Sequence, residues 1–169
     1  SHLKLWSITE SELSEIAKNN TKNQLPYEFL DLMEVLEKNT DEEEQDFIRE
    51  LKDQEEIMPM YVLTNKEKNL GAICMVYDSV LSDVGEKLGE DYYILPSSIH
   101  ECIVIPKKEE IDPEELKIMV REINATQVQP EEVLSDEIYQ YERRYHRLSM
   151  VLETEEYYPF LEAEIAAEP

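Results

Sequence analysis

The residues with the clearest chemical potential lie in the stretch YYILPSSIHECIVIP, residues 92–106. Two serines, a histidine, a glutamate and a cysteine fall between two apolar runs and offer a nucleophile, a base and a carboxylate. A nucleophilic triad requires these three groups to lie within hydrogen-bond reach of one another in order. The stretch therefore supports two hypotheses: a hydrolase using His100 with Ser98 or Cys102, or a hairpin with a polar turn.

Strand geometry favours the hairpin. Alternate side chains of an extended strand face opposite ways, so His100 and Cys102 would share one face while Glu101 points to the other. Apolar neighbours predict a buried Cys102, and burial raises a thiol pKa. Pro96 presets a turn whose unpaired backbone groups the serines can satisfy. We expect no catalytic residue here, and the candidate ligand-binding residues are Ser97, Ser98, His100 and Glu101.

The sequence predicts neither a metal site nor a cofactor. A zinc site needs about four ligands, and only His100, Cys102 and Cys74 could converge, without a paired-cysteine or His-Glu-x-x-His spacing. The three glycines of the chain form no phosphate-binding loop. Both cysteines lie in apolar runs, which predicts free, buried thiols.

Net charge is the one extreme property of the chain. Sixteen basic and 40 acidic residues give a net charge of −24. Such a charge repels nucleic acid and anionic membranes, and no apolar run approaches the ~18 residues of a membrane span. We expect a cytoplasmic protein that binds neither. An alternative is an acidic inhibitor or nucleic-acid mimic that binds a basic site of a target protein.

Positive charge and aromatic rings each concentrate at one place near the C-terminus. The segment RRYHR, residues 143–147, could neutralise acidic neighbours or anchor an acidic segment or a phosphate. The tail after residue 152 contains six glutamates and no basic residue around the segment YYPFL. This tail could dock on its own domain or on a partner. The candidate partner-binding residues are Arg143, Arg144, Arg147, Tyr157, Tyr158 and Phe160.

Composition divides the chain into an acidic helical lead-in (1–58), a core (59–152) and an acidic tail (153–169). A capping box formed by Thr9 and Glu12 predicts the first helix, which should end near residues 19–21. Apolar residues at three- and four-residue spacing predict a second helix after Pro26, and a second capping box predicts a third from Thr40.

The core is predicted to contain two hairpins, each followed by a helix. The predicted elements are strands at 60–64 and 70–77, a helix ended by Gly89, strands at 92–95 and 102–105, a helix begun by Asp112 and Pro113, and a long C-terminal helix capped by Ser135 and extending to Leu152. The fold class is α+β: a mainly antiparallel four-stranded sheet with helices on one face, N-terminal helices and a long C-terminal helix.

Several segments carry a family resemblance, among them YVLTN, YILPSSIHE and the LSD followed by tyrosines. Together they resemble an uncharacterised bacterial family, DUF5688, found mostly in anaerobic Firmicutes of the gut. The likeness runs from about Leu3 to Tyr145. Family members carry a further N-terminal region, so the chain is similar to the C-terminal portion of a longer protein. The resemblance implies no activity, cofactor or catalytic residue.

The function that the sequence favours is that of a non-enzymatic binding or protein-interaction module with an unidentified protein partner. Its binding surface would be the sheet near residues 97–101 or its acidic helices. The acidic inhibitor and the hydrolase remain the alternatives.

Overall fold

One antiparallel sheet organises the computed structural model, which describes residues 2–40, 45 and 58–152. Its strand order is β1-β2-β4-β3-β5-β6. The strands are β1 (Tyr27–Asp31), β2 (Tyr61–Asn65), β3 (Tyr92–Leu95), β4 (Cys102–Pro106), β5 (Tyr139–Glu142) and β6 (Arg147–Met150). The α+β class is confirmed, but the prediction of four strands is wrong because β1, β5 and β6 extend the sheet on both sides.

The described ranges contain five α-helices with defined bounds and two short 3-10 helices, and Gln45 is helical as well. The five α-helices are α1 (His2–Trp6), α2 (Glu10–Gln24), α3 (Leu32–Asn39), α4 (Asp78–Leu88) and α5 (Pro113–Thr126), with 3-10 helices at Gly71–Val76 and Arg143–Tyr145. None of these helices has the length and apolar character needed to cross a membrane.

The structure confirms three helix ends that the sequence predicted: the starts of α2 and α5 and the end of α4. The Thr9 hydroxyl accepts from the amide of Glu12, whose carboxylate accepts from the amide of Thr9, although α2 continues to Gln24, past the predicted end. Asp112 caps α5 just before the proline. Gly89 ends α4 with φ +81°, a left-handed conformation that suits glycine.

The hydrophobic core lies on both faces of the sheet. On one face, Leu63 and Ile94 pack in a cluster with residues of the first 3-10 helix and α4. On the other face, Tyr93 and Ile105 pack against Leu116 and other residues of α5. Strand alternation assigns neighbouring residues to opposite clusters. The prediction of helices on one face is therefore wrong, since α5 covers the second face.

The predicted strand at 70–77 is wrong, because residues Gly71–Val76 form a 3-10 helix. A short, continuously apolar run does not distinguish a buried strand from a buried helix. The backbone of Gly71 lies so close to β2 that a Cβ there would be 2.2 Å from Thr64 Oγ1. The partners of β2 in the sheet are instead β1 and β4.

Residues 27–31 form a strand where the sequence predicted the start of the second helix. Phe29 of β1 stacks on Tyr61 of β2, with ring centroids 4.8 Å apart. Asp31 then caps α3, because its Oδ1 accepts from the amide of Glu34 at 3.1 Å. The helical spacing was therefore correct only from Leu32 onward, and β1, within the predicted lead-in, joins the core sheet.

The long C-terminal helix is also wrong, because residues 139–150 form the β5–β6 hairpin around the second 3-10 helix. The spacing of its apolar residues fits both periods: Tyr139 and Tyr141, two residues apart, lie on one face of the sheet. Ser135 does not cap a helix; its Oγ accepts from the amide of Glu137 at 3.0 Å in a turn. Of the predicted helix after Thr40, only Gln45 belongs to the described residues, and it is helical. The tail from residue 153 lies outside the described residues.

We expect Gly71→Ala to lower the free energy of unfolding by ~1–3 kcal/mol, the usual range for overpacking. The new methyl group would meet Asn65 N and His100 O at 2.6 Å, and both are backbone atoms. Gly85→Ala is the matched control, because its nearest contact is a side-chain atom of Arg143 at 3.0 Å and not a backbone atom. Chemical denaturation of both variants checks the difference; equal stabilities would contradict this packing.

Candidate functional site

Ser97 and Ser98 are buried and hold two loops together. The backbone of this segment pairs with residues 132–134: Ile99 N donates to Glu132 O at 2.9 Å, and Leu134 N donates to Ser97 O at 3.0 Å. The Ser98 hydroxyl oxygen accepts from the amide of His100 at 3.0 Å. The Ser98 side chain therefore satisfies a backbone group of the turn, in agreement with the hairpin hypothesis.

His100 connects three segments through its ring and its carbonyl. Its Nδ1 accepts from the amide of Leu70 at 3.1 Å, so the ring proton of the neutral imidazole lies on Nε2. This Nε2 is 3.4 Å from Glu132 Oε1. The His100 carbonyl accepts from the Thr64 hydroxyl at 2.8 Å. The imidazole thus positions the backbone just before the first 3-10 helix.

These contacts leave the hydrolase hypothesis without a nucleophile–base pair in the described part of the chain. The acceptor nitrogen of His100 is occupied by the Leu70 amide, so it cannot take a proton from Ser98. Cys102 is fully buried, and burial raises the pKa of its thiol far above the usual range. Glu101 is exposed and forms no ion pair within the described ranges.

The two cysteines are free and buried, as predicted. Burial raises the pKa of the Cys74 thiol to about 11. Its Sγ lies 3.4 Å from Thr64 O, whereas Cys102 Sγ lies 3.8 Å from Met75 Sδ. Across residues 2–40, 45 and 58–152, no group of three histidine, cysteine or acidic side chains is placed to hold a metal ion.

Four polar residues, Thr64, Asn65, Ser98 and His100, form what we call the His100 cluster. An apolar groove of about 500 Å³ lies beside this cluster, and we call it the Leu70 groove. Ser135 supplies a polar side chain to its wall, and no charged residue lines it. The lining residues are Leu70, Ala72, Ile73, Met75, Val76, Pro96, Ile99, Leu134, Ser135, Tyr139 and Leu148. Pro96 and Ile99 come from the stretch singled out in the sequence, but Ser97, Ser98, His100 and Glu101 do not line the groove.

The geometry of the 3-10 helix explains one wall. Side chains three residues apart are eclipsed in a 3-10 helix, so Ile73 and Val76 align with Leu70, which precedes the helix. These three side chains are 43–56% exposed. Sequence analysis missed the wall because residues 70–77 were assigned to a strand, which would have alternated their side chains.

Leu70 adopts a left-handed conformation with φ +53°, which costs a residue with a side chain roughly 1–2 kcal/mol. Hydrogen bonds hold it there. The His100 ring accepts from its amide, and the Asn65 side chain bonds to both the amide and the carbonyl of Asn69, the preceding residue. The polar cluster therefore fixes an exposed apolar side chain at the rim of the groove.

The arginine cluster lies at the turn of the β5–β6 hairpin, not at a helix end. Arg147 donates to Glu142 Oε2 at 2.6 Å and 2.9 Å. The Arg143 guanidinium donates to the Gly89 carbonyl, which ties the turn to the end of α4. The Arg144 guanidinium lies 5.7 Å from the Tyr145 ring centroid and contacts no carboxylate of the described residues. The tail candidates Tyr157, Tyr158 and Phe160 lie outside the described residues.

In a comparison with known families, a model described as a family of unknown function, DUF5688, matches residues 1–143. The chain belongs to DUF5688. This confirms the resemblance found in the sequence. No curated protein and no solved structure matches the chain. The DUF5688 match ends at the start of the second 3-10 helix, so it includes the His100 cluster and every groove residue except Leu148.

We expect His100→Ala to lower the free energy of unfolding by about 1 kcal/mol, the usual net contribution of one hydrogen bond, because it removes the acceptor of the Leu70 amide. Glu101→Ala is the control; its side chain is exposed and the change should stay within about 0.5 kcal/mol. Thermal and urea unfolding measure both. Equal stability of the two variants would show that the His100 contact does not stabilise the fold.

We expect both thiols to resist a disulfide-exchange reagent in the native protein at pH 8. The thiolate is the reactive form, and at this pH a thiol with a pKa of about 11, such as Cys74, is almost wholly protonated. Reaction should become fast in denaturant, when both thiols return to their ordinary pKa. Rapid native reaction of either thiol would contradict its burial.

Proposed function

We propose that this DUF5688 chain is a non-enzymatic protein-interaction module that takes apolar side chains of a partner segment into the Leu70 groove. The observation that carries the proposal is the convergence of exposed apolar side chains on one groove beside a polar cluster that fixes its rim. A protein that exposes a contiguous apolar surface usually uses it for binding.

The composition of the groove supports an apolar occupant. A volume of about 500 Å³ falls within the usual range for binding pockets. Among its lining residues only Ser135 and Tyr139 carry a hydroxyl group, so few polar groups are present to orient a polar substrate. Burying two or three apolar side chains of a partner would supply the driving force.

The charge of the chain supports a basic partner. With a net charge of −24, it attracts segments that carry lysine or arginine and speeds their encounter. The apolar side chains of the partner would then provide most of the affinity. We therefore propose as partner a short protein segment in which aliphatic or aromatic residues are flanked by basic residues.

We test this with a displayed random-peptide library selected on the full chain. We expect enriched peptides of that composition, and we measure their dissociation constants by calorimetry. Ile73→Asp should weaken binding at least about tenfold, equivalent to ~1.4 kcal/mol, because it places a charge in the groove wall.

Ile118→Asp is the matched control, because Ile118 is 56% exposed on α5, which packs on the other face of the sheet. It adds the same charge and should change affinity less than about twofold, within the ±0.5 kcal/mol typical of surface substitutions. Equal weakening of peptide binding by both variants would overturn the proposal that the groove is the binding site. Enrichment of purely basic peptides whose binding vanishes at high salt would overturn it as well and favour the acidic-inhibitor alternative.

A further inference from the structure

We infer that the chain's own segment YYPFL, residues 157–161, occupies the Leu70 groove when no partner is bound. The inference rests on the proposed function of the groove and adds a built-in competitor. The contact lies within one chain. The alternative, in which the tail of a second copy occupies the groove, predicts a dependence on protein concentration.

The first support is the position at which the chain leaves the described region. β6 ends at Met150, which pairs with Tyr139, a groove residue. Val151 N then donates to Ile138 O at 3.0 Å, so the chain continues alongside the segment that leads into β5. That segment begins with Leu134 and Ser135, which both line the groove. The tail therefore starts at the rim of the groove.

The second support is reach. Four residues, 153–156, separate Leu152 from Tyr157. Five residue steps extend up to about 17 Å, whereas paired residues such as Tyr139 and Met150 have Cα atoms only about 5 Å apart. The aromatic segment can therefore enter the groove without any rearrangement of the hairpin.

The third support is the chemistry of the tail. Its segment YYPFL supplies three aromatic rings and a leucine between glutamates on both sides. Pro159 restricts the backbone and lowers the entropy lost on docking. The groove offers aliphatic walls and the ring of Tyr139 to these side chains.

Charge makes this contact weak enough to be displaced. The glutamates of the tail carry the same sign of charge as the rest of the chain, whose net charge is −24. Linkage within one chain gives an effective concentration of about 1 mM, which compensates for a low intrinsic affinity. A basic partner with the same apolar residues would gain attraction where the tail suffers repulsion, and would replace it.

The test compares amide chemical shifts of the full ¹⁵N-labelled chain with those of two variants. Tyr157→Ala/Phe160→Ala removes two rings of the segment, and Ile165→Ala is the control because it truncates an apolar residue elsewhere in the same tail. We expect the double variant to shift the amides of Ile73, Leu134 and Leu148, and the control to leave them unchanged, at every protein concentration.

Unchanged groove amides in the double variant would overturn the inference. Shifts that appear only at high protein concentration would overturn it too, and would assign the groove to a second copy. If selected peptides bind the groove but the tail variant leaves the chemical shifts of the groove amides unchanged, the inference fails and the proposed function stands. If Ile73→Asp has no effect on peptide binding, the proposed function fails by itself.

Competition gives a second readout. With the tail in place only a fraction of molecules has an open groove, and the apparent dissociation constant rises by the reciprocal of that fraction. A selected peptide should therefore bind the Tyr157→Ala/Phe160→Ala variant at least about threefold tighter than the unmodified chain. Equal affinities would overturn the inference.

Discussion

The close approach of Gly71 to β2 is the constraint on which the rest of the site depends. Its backbone lies where a Cβ would be 2.6 Å from the His100 carbonyl oxygen and closer still to Thr64. A side chain at this position would push the 3-10 helix away from the sheet. With glycine, the helix packs onto β2, the Leu70 amide reaches the His100 ring, and one ridge of the helix faces the groove.

The polar residues of the cluster act through the backbone. Ser98, His100 and Asn65 each accept from a main-chain amide, and Thr64 donates to a main-chain carbonyl. A buried polar group that is left unpaired costs free energy. These side chains pair backbone groups at the ends of strands, where the sheet no longer supplies a partner. Their types resemble those of a catalytic site, but their bonds position the apolar surface beside them.

Much of the central fold could be predicted from the sequence. Alternating and continuous apolar runs identify β2, β3 and β4, and local capping chemistry identifies the starts of α2 and α5, because these signals involve residues near in sequence. The 3-10 helix and the β5–β6 hairpin could not be predicted in this way. Their apolar spacing fits both helix and strand, and the choice depends on contacts with distant residues, such as Gly71 with His100.

The groove was missed for the same reason. Its walls come from the two segments whose secondary structure was misassigned, joined by Pro96 and Ile99 from the one stretch that attracted attention. The aromatic tail and the arginine cluster were recognisable from composition alone. Sequence could therefore supply candidate partners for a surface, but it could not supply the surface.

The most direct test of the central claim, that His100 positions the groove through the Leu70 amide, is a nuclear magnetic resonance experiment on the hydrogen bond itself. In the ¹⁵N-labelled chain, a scalar coupling across the bond should connect the Leu70 amide nitrogen with His100 Nδ1, and the ring proton should be found on Nε2. A proton on Nδ1, or no coupling to Leu70 from a neutral ring, would contradict the account.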